Sequence, residues 1–323
     1  MRDTASSPTI TAPDVSEFAT ALLAGLSAPA KSIPCRFLYD AVGSALFERI
    51  TRLPEYYPTR TETRILRERA EDIARDAAPG NVLIEFGSGS STKTELLLEK
   101  MHRLHAYVPI DISHTALGEA HARIKGRFPD LRVLPVCGDF SQALALPPEI
   151  DGRPRLGFFP GSTIGNLTEA AAVKLLANMA KILGHGARLI IGADLKKDVR
   201  RLLSAYDDQE GVTAAFNLNL LTRANRELKT DFDVGQFDHL AIWNEPHGRI
   251  EIYLVSQADQ TVSLLGRRIR FTAGERIHTE HSHKYDIAGF HALAAKSGWH
   301  ARNVWTDADN LFSLHLLQAQ RAP

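Results

Sequence analysis

Gly87 and Gly89 lie in Val82-Leu83-Ile84-Glu85-Phe86-Gly87-Ser88-Gly89-Ser90-Ser91-Thr92-Lys93, where a short apolar run meets a small-residue turn and then a helix start. Without side chains there, a ligand can approach the backbone, and the N–H groups of the helix start can face its polar or anionic atoms. Asp111 closes the next apolar run, where a carboxylate can accept both hydroxyls of a ribose. Gly138-Asp139-Phe140 closes the one after, setting a carboxylate and an aromatic ring where an adenine would lie. This is the chemistry of a nucleotide site. A single such aspartate more often caps the helix that follows it. Two of them at strand ends beside a glycine turn fall where open parallel sheets bind ligands. Dehydrogenases that bind NAD use the same turn, but their fingerprint wants a third small residue where this chain has Thr92, and nothing else here supplies a nicotinamide pocket.

A second set of chemical residues lies far downstream. In Thr279-Glu280-His281-Ser282-His283, Glu280 and Ser282 are two apart in a strand-like stretch and so share a face. A carboxylate and a hydroxyl on one face can engage both nitrogens of an imidazole, one of them with charge assistance. On spacing alone, an ordinary half-buried strand edge explains the pair better. His278, His281 and His283 invite a metal ion, but alternate strand positions divide between faces and no cysteine or carboxylate spacing supports them; no metal is expected.

The elements that must position these residues follow a strand–helix alternation. Apolar residues recur at helical spacing over 16–28, a second helix is expected around 44–52, and a charged amphipathic helix over 63–77 leads into the glycine-turn strand. Between the last two helices, Pro54 and Pro58 bracket Tyr56 and Tyr57, which predicts an extended loop outside any helix, whose rings either form an exposed binding surface or pack against the next domain. Strands are expected at 82–86, 106–110, 132–136, 156–159 and 187–193, followed by two late strands at 301–306 and 310–318 that should pair antiparallel. The fold class is therefore α/β: a doubly wound, mostly parallel, seven-stranded, Rossmann-like sheet. Beyond Asp194 the alternation breaks. Helices interrupted at 206–211 precede segments at 237–243, 249–256 and 260–269 that read as antiparallel strands of a smaller α+β lobe. A helix returns at 285–297.

Composition narrows the partner. Lys plus Arg and Asp plus Glu each number 38, so no net field favours nucleic acid or an anionic membrane, and a small molecule fits better. Cys35 and Cys137 form no metal or redox spacing and read as two reduced thiols. No run approaches the roughly 18 apolar residues of a membrane span, and the N-terminus has no apolar core of a signal peptide. A cytoplasmic protein, expected to be a monomer, is the result.

Glu85-Phe86-Gly87-Ser88-Gly89, Asp111 and Asp139-Phe140, with a closing strand hairpin, resemble class I S-adenosylmethionine-dependent methyltransferases. Three longer strings narrow this. Tyr56-Tyr57-Pro58-Thr59-Arg60-Thr61-Glu62, Gly161-Ser162-Thr163-Ile164-Gly165-Asn166-Leu167, and Tyr206-Asp207-Asp208 with Gly211-Val212-Thr213-Ala214-Ala215-Phe216-Asn217 resemble the L-histidine Nα-methyltransferases of ergothioneine biosynthesis, over about residues 17–320. The resemblance implies cofactor contacts at Tyr39, Gly87, Lys93, Asp111, Asp139 and Phe140. It implies an amino-acid pocket in which Tyr56, Gly161, Asn166 and Tyr206 hold the amino and carboxylate ends while Glu280 and Ser282 hydrogen-bond the imidazole. Ile252 stands where that family commonly has a methionine against the ring, a stiffer and branched replacement. The implied domains are a loose tail at 1–16, a substrate-binding domain at 17–60 and 197–285, and a cofactor domain at 61–196 and 286–323.

The reaction so implied is transfer of methyl groups from S-adenosyl-L-methionine to the α-amino nitrogen of L-histidine and of its mono- and dimethylated forms, three times in all, giving hercynine. The amine must present a lone pair, so Tyr39, Tyr56 and Asn166 are the residues to examine for a catalytic part in its deprotonation. The alternatives are an Nα-methyltransferase of another amino acid, for which Ile252 is the motive, and a non-catalytic S-adenosylmethionine-binding module.

Overall fold

The computed structural model describes residues 15–76, 81–89 and 91–320. The expected tail at 1–16 lies outside them except for its last two positions, which already belong to a helix. In chain order the elements are α1 (Val15–Ser27), α2 (Ala41–Ile50), α3 (Tyr57–Asp76), β1 (Val82–Phe86), α4 (Thr92–Leu98), β2 (Ala106–Asp111), α5 (His114–Arg127), β3 (Val136–Cys137), β4 (Arg155–Phe159), α6 (Glu169–Leu183) and β5 (Arg188–Asp194). They continue with α7 (Val199–Ser204), α8 (Val212–Leu228), β6 (Phe237–Asn244), β7 (Arg249–Ser256), β8 (Gln260–Leu264), β9 (Arg267–Phe271), β10 (Arg276–His283), α9 (Ile287–Ala295), β11 (Trp299–Thr306) and β12 (Phe312–Ala319).

Seven strands form one sheet in the order β11-β12-β5-β4-β1-β2-β3. β1 pairs parallel with both β2 and β4, and β12 runs antiparallel to β5 and to β11, so the late hairpin closes one edge. Every residue of β1 is buried, as a central parallel strand covered on both faces requires. Apolar clusters fill the two faces. One gathers α6 and α9 residues such as Leu176, Met179 and Phe290; the other gathers Ile65, Leu66 and Ile73 of α3 with Leu83 and Leu314. A third cluster lies beyond the sheet, where α1, α2 and α8 pack with the three-stranded antiparallel sheet β10-β7-β6 and the β8–β9 hairpin.

Three expectations are corrected. The stretch around Tyr57 is not an extended loop: Tyr57 begins α3 with Pro58 in its first turn, where the missing N–H and fixed φ of proline cost nothing. Of the two readings of the rings it is packing that holds, since Tyr56 and Tyr57 are buried. Segment 260–269 is a hairpin rather than one strand, because Leu265 and Gly266 both adopt positive φ (49° and 76°), the geometry of a two-residue hairpin turn. Of 132–136 only the last residue joins β3, with Val133 making an isolated bridge to Tyr107.

Candidate active site

At the C-terminal end of β1 the backbone turns through Gly87 (φ 72°) and Gly89 (φ 46°), conformations that side chains disfavour. The N–H groups of Gly87 and Ser88 donate to the Ile110 carbonyl at 2.9 and 3.1 Å, tying the turn to β2. Asp111 is pinned from two sides: Gly89 N–H donates to Oδ2 at 3.1 Å and Ser113 N–H to Oδ1 at 2.9 Å. Ser113, not Asp111, caps α5. Asp139 Oδ1 accepts Ser141 N–H at 2.8 Å, and Phe140 meets Phe86 and Phe159 edge-on. A Cβ placed on Gly87 would lie 3.6 Å from the Phe140 ring. A glycine floor, a ring wall and two oriented carboxylates fit a nucleoside-bearing cofactor. Beneath the turn, Glu85 is wholly buried and bonded to the Tyr107 hydroxyl; loss of hydration pushes its carboxyl up to about 7. It holds the turn rather than the ligand.

Lys93, expected at the cofactor, forms an ion pair with Glu62 of α3. Glu62 is fully buried and also accepts the Gly161 N–H on both oxygens, at 3.0 and 2.9 Å. Gly161 (φ 85°) opens the turn after β4, and a Cβ there would come 3.8 Å from Lys93 Nζ. One carboxylate thus joins Lys93 of α4 to the backbone of the turn after β4. Glu62 stands inside the Tyr56–Glu62 string but had been given no role.

The turn after β4 reaches β10 because Gly165 has no side chain. A Cβ there would lie 2.9 Å from the His283 carbonyl oxygen and 3.3 Å from its nitrogen. That approach brings Asn166 to Glu280, whose Oε1 accepts the Asn166 Nδ2–H at 3.0 Å. Glu280 and Ser282 are both buried on one face of β10. Ile252 is the register partner of Glu280 on β7, and directly opposed residues project to the same side, so the departure from methionine stands beside the carboxylate. Burial pushes Glu280 up to about 7, against the opposing pull of Lys284 and Asn166.

The same alternation continues to Lys284, which sequence reasoning passed over. Its buried ammonium donates to Tyr206 Oη at 2.7 Å and to Ser282 Oγ at 2.8 Å, and pairs with Asp194 Oδ2 at 2.7 Å. Tyr206 OH donates to Ser282 Oγ at 2.9 Å. Asp194, at the end of β5, also accepts the Tyr57 hydroxyl at 2.7 Å and Lys197 Nζ at 2.6 Å. The two lysines hold Asp194 below its ordinary range although burial opposes them, and burial lowers Lys197 to about 8. Tyr56 meets Tyr206 and Phe47 edge-on, while Tyr39 is 40% exposed and packs edge-on against Phe47 and Phe216. Asn166 and Tyr206, expected at the amino-acid end, thus bond directly to Glu280 and Ser282, which were expected at the imidazole.

The histidines lie differently from their expected division between faces. A register shift between His278 and Glu280 lets His278 stack on His281, with ring centroids 5.5 Å apart, and His281 meets His283 at 5.1 Å. Among the described residues no group of three His, Cys, Asp or Glu is placed to hold a metal ion. Burial and the neighbouring cations push His281 down to about 4, and burial lowers His278 and His283 as well.

The sheet with the glycine turn at its carboxyl edge is that of an S-adenosylmethionine-dependent methyltransferase, the class to which the matching family model assigns the chain. Within that class the chain belongs to the S-adenosylmethionine-dependent, histidine-specific methyltransferase family, whose model matches residues 18–319. It is 46% identical over 298 residues to the histidine N-alpha-methyltransferase of Mycolicibacterium smegmatis, covering 91% of this chain and 92% of that protein. Identity to the histidine N-alpha-methyltransferase of Mycobacterium tuberculosis is 43% over 297 residues, 90% of this chain and 92% of that protein. Ergothioneine biosynthesis protein 1 of Neurospora crassa is 31% identical over 300 residues, 90% of this chain and 33% of that larger protein.

Proposed function

We infer that the protein methylates the α-amino nitrogen of L-histidine three times, with S-adenosyl-L-methionine as donor, to give hercynine for ergothioneine biosynthesis. The observation that carries this is the buried carboxylate–hydroxyl pair, Glu280 and Ser282, each anchored by a partner from another element and shaped to grip two ring nitrogens. When bound, the cofactor supplies an electrophilic sulfonium methyl. Gly87, Asp111, Asp139 and Phe140 would hold its nucleoside, with Lys93 and Tyr39 as the further expected contacts.

The protein's own task is to orient the amine and let it shed a proton. Burial raises the Tyr56 phenol well above 10, so it stays protonated and serves as a hydrogen-bond donor and a π-face rather than a base. Asn166 carries an amide, which cannot take the proton either, and it positions through Glu280. The tyrosine faces of Tyr39, Tyr56 and Tyr206 suit the quaternary ammonium left by the third transfer. This reading takes 17–60 and 197–285 as the substrate-binding domain and 61–196 with 286–323 as the cofactor domain, supported by the separate apolar cluster around α8 and β7. It also takes the protein as a cytoplasmic monomer that binds neither nucleic acid nor membrane, supported by balanced charge and two free thiols. No helix among the described residues is long and apolar enough to cross a membrane.

Incubation with S-adenosylmethionine and, separately, histidine, tryptophan and tyrosine, followed by mass spectrometry, tests the assignment. Histidine gains three methyl groups. Gain on another amino acid with none on histidine overturns the reading.

A further inference from the structure

Lys284 is buried to 2% exposure, at the end of a strand face that otherwise carries the imidazole-binding pair. Three oxygens surround its nitrogen at 2.7–2.8 Å: Asp194 Oδ2, Tyr206 Oη and Ser282 Oγ. An ammonium has three protons and no lone pair, so each contact must be a donation. Tyr206 Oη therefore receives from Lys284, and its own proton goes to Ser282 Oγ. Ser282 Oγ then accepts twice, which leaves its hydroxyl hydrogen as its one remaining means of hydrogen bonding. Beside it, Glu280 can only accept when ionised, and Asn166 already occupies Oε1.

Resting on the histidine reading above, we propose that Lys284 is a positioning residue that fixes the Ser282 hydroxyl as a donor, so that the pocket selects a neutral ring with one N–H towards Glu280 and one lone pair towards Ser282. The imidazole is bound as one tautomer, and rings without an acceptor nitrogen are disfavoured. Without Lys284, the serine hydrogen is free to turn to Tyr206 and offer the substrate a lone pair instead. Ring discrimination would then relax although Glu280 and Ser282 remain.

The test compares histidine with the two β-pyrrolylalanines, in which one ring nitrogen is kept as N–H and the other becomes C–H. In the wild-type protein kcat/KM favours histidine over the better analogue by about tenfold or more, the worth of one hydrogen bond. In Lys284→Met that ratio falls about tenfold, mainly through histidine KM, while affinity for S-adenosylhomocysteine is retained. A parallel fall for histidine and analogues, with the ratio unchanged, makes Lys284 merely structural and overturns the proposal. Nitrogen NMR of ring-labelled histidine bound to wild-type protein with S-adenosylhomocysteine needs no variant: one protonated and one bare nitrogen are expected. An imidazolium, or a mixture of tautomers, overturns the proposal even if the variant does not fold. Absence of any histidine binding or turnover by the wild type would instead fail the underlying reading, and the proposal with it.

Discussion

At the glycine turn, Asp111 and Asp139 are oriented by backbone N–H groups, from residues two positions on in both cases and from Gly89 across one strand pair. At β10, Glu280, Ser282 and Lys284 are oriented by side chains of Asn166, Tyr206 and Asp194, which come from three other segments. The glycine turn is thus a local motif on a buried parallel sheet. The β10 cluster is a buried polar network assembled from distant pieces, whose members are satisfied only together. Damage should accordingly stay confined to cofactor binding at the first and spread to stability at the second.

Gly87→Val should give the largest effect. The left-handed backbone disfavours a β-branched residue, and the new side chain would fill the face opposite Phe140. Calorimetry with S-adenosylhomocysteine should show no binding while the thermal midpoint changes little by comparison. Asp194→Ala should do the reverse. It leaves Lys197 and Lys284 buried without their carboxylate, a loss of about 3–5 kcal/mol readable by chemical denaturation.

Glu280→Gln removes a charge-assisted contact, and histidine kcat/KM should fall about ten- to hundredfold with cofactor affinity kept. The pH profile sharpens this. With Glu280 raised to about 7, its accepting, ionised form is present above that value and is lost as pH falls through it, so wild-type kcat/KM should decline below about pH 7. The ratio of wild type to Glu280→Gln should be level above about pH 7 and fall on the acid side, since the variant has no such group to lose. Ile252→Met should be the mildest change, within about 1.5 kcal/mol, read as a small shift in histidine KM.

The two ends also differ in how far they could be read from sequence. Gly87, Gly89, Asp111, Asp139 and Phe140 were legible because apolar runs followed by turn residues mark strand ends, and strand ends of a parallel sheet converge on one edge. Glu280 and Ser282 were visible as a pair through strand periodicity, whereas Lys284, two residues on, was passed over because spacing does not say that a lysine is buried. Tyr57 and Glu62 were hidden by proline bracketing that reads as a loop; in the fold the second proline opens a helix and carries both side chains inward. The histidines of β10 defied simple alternation because one register shift moves His278 to the side of His281.

By itself the sequence determined the sheet, the glycine turn and the family, because these depend on periodicities and short-range backbone geometry. Only the tertiary structure decided that Glu62 ties Lys93 to Gly161, that Gly165 lets Asn166 reach Glu280, and that Lys284 and Asp194 sit behind Tyr206 and Ser282. Those contacts join residues up to 114 positions apart. Their strength comes from burial, which no residue type or spacing specifies before the chain has folded.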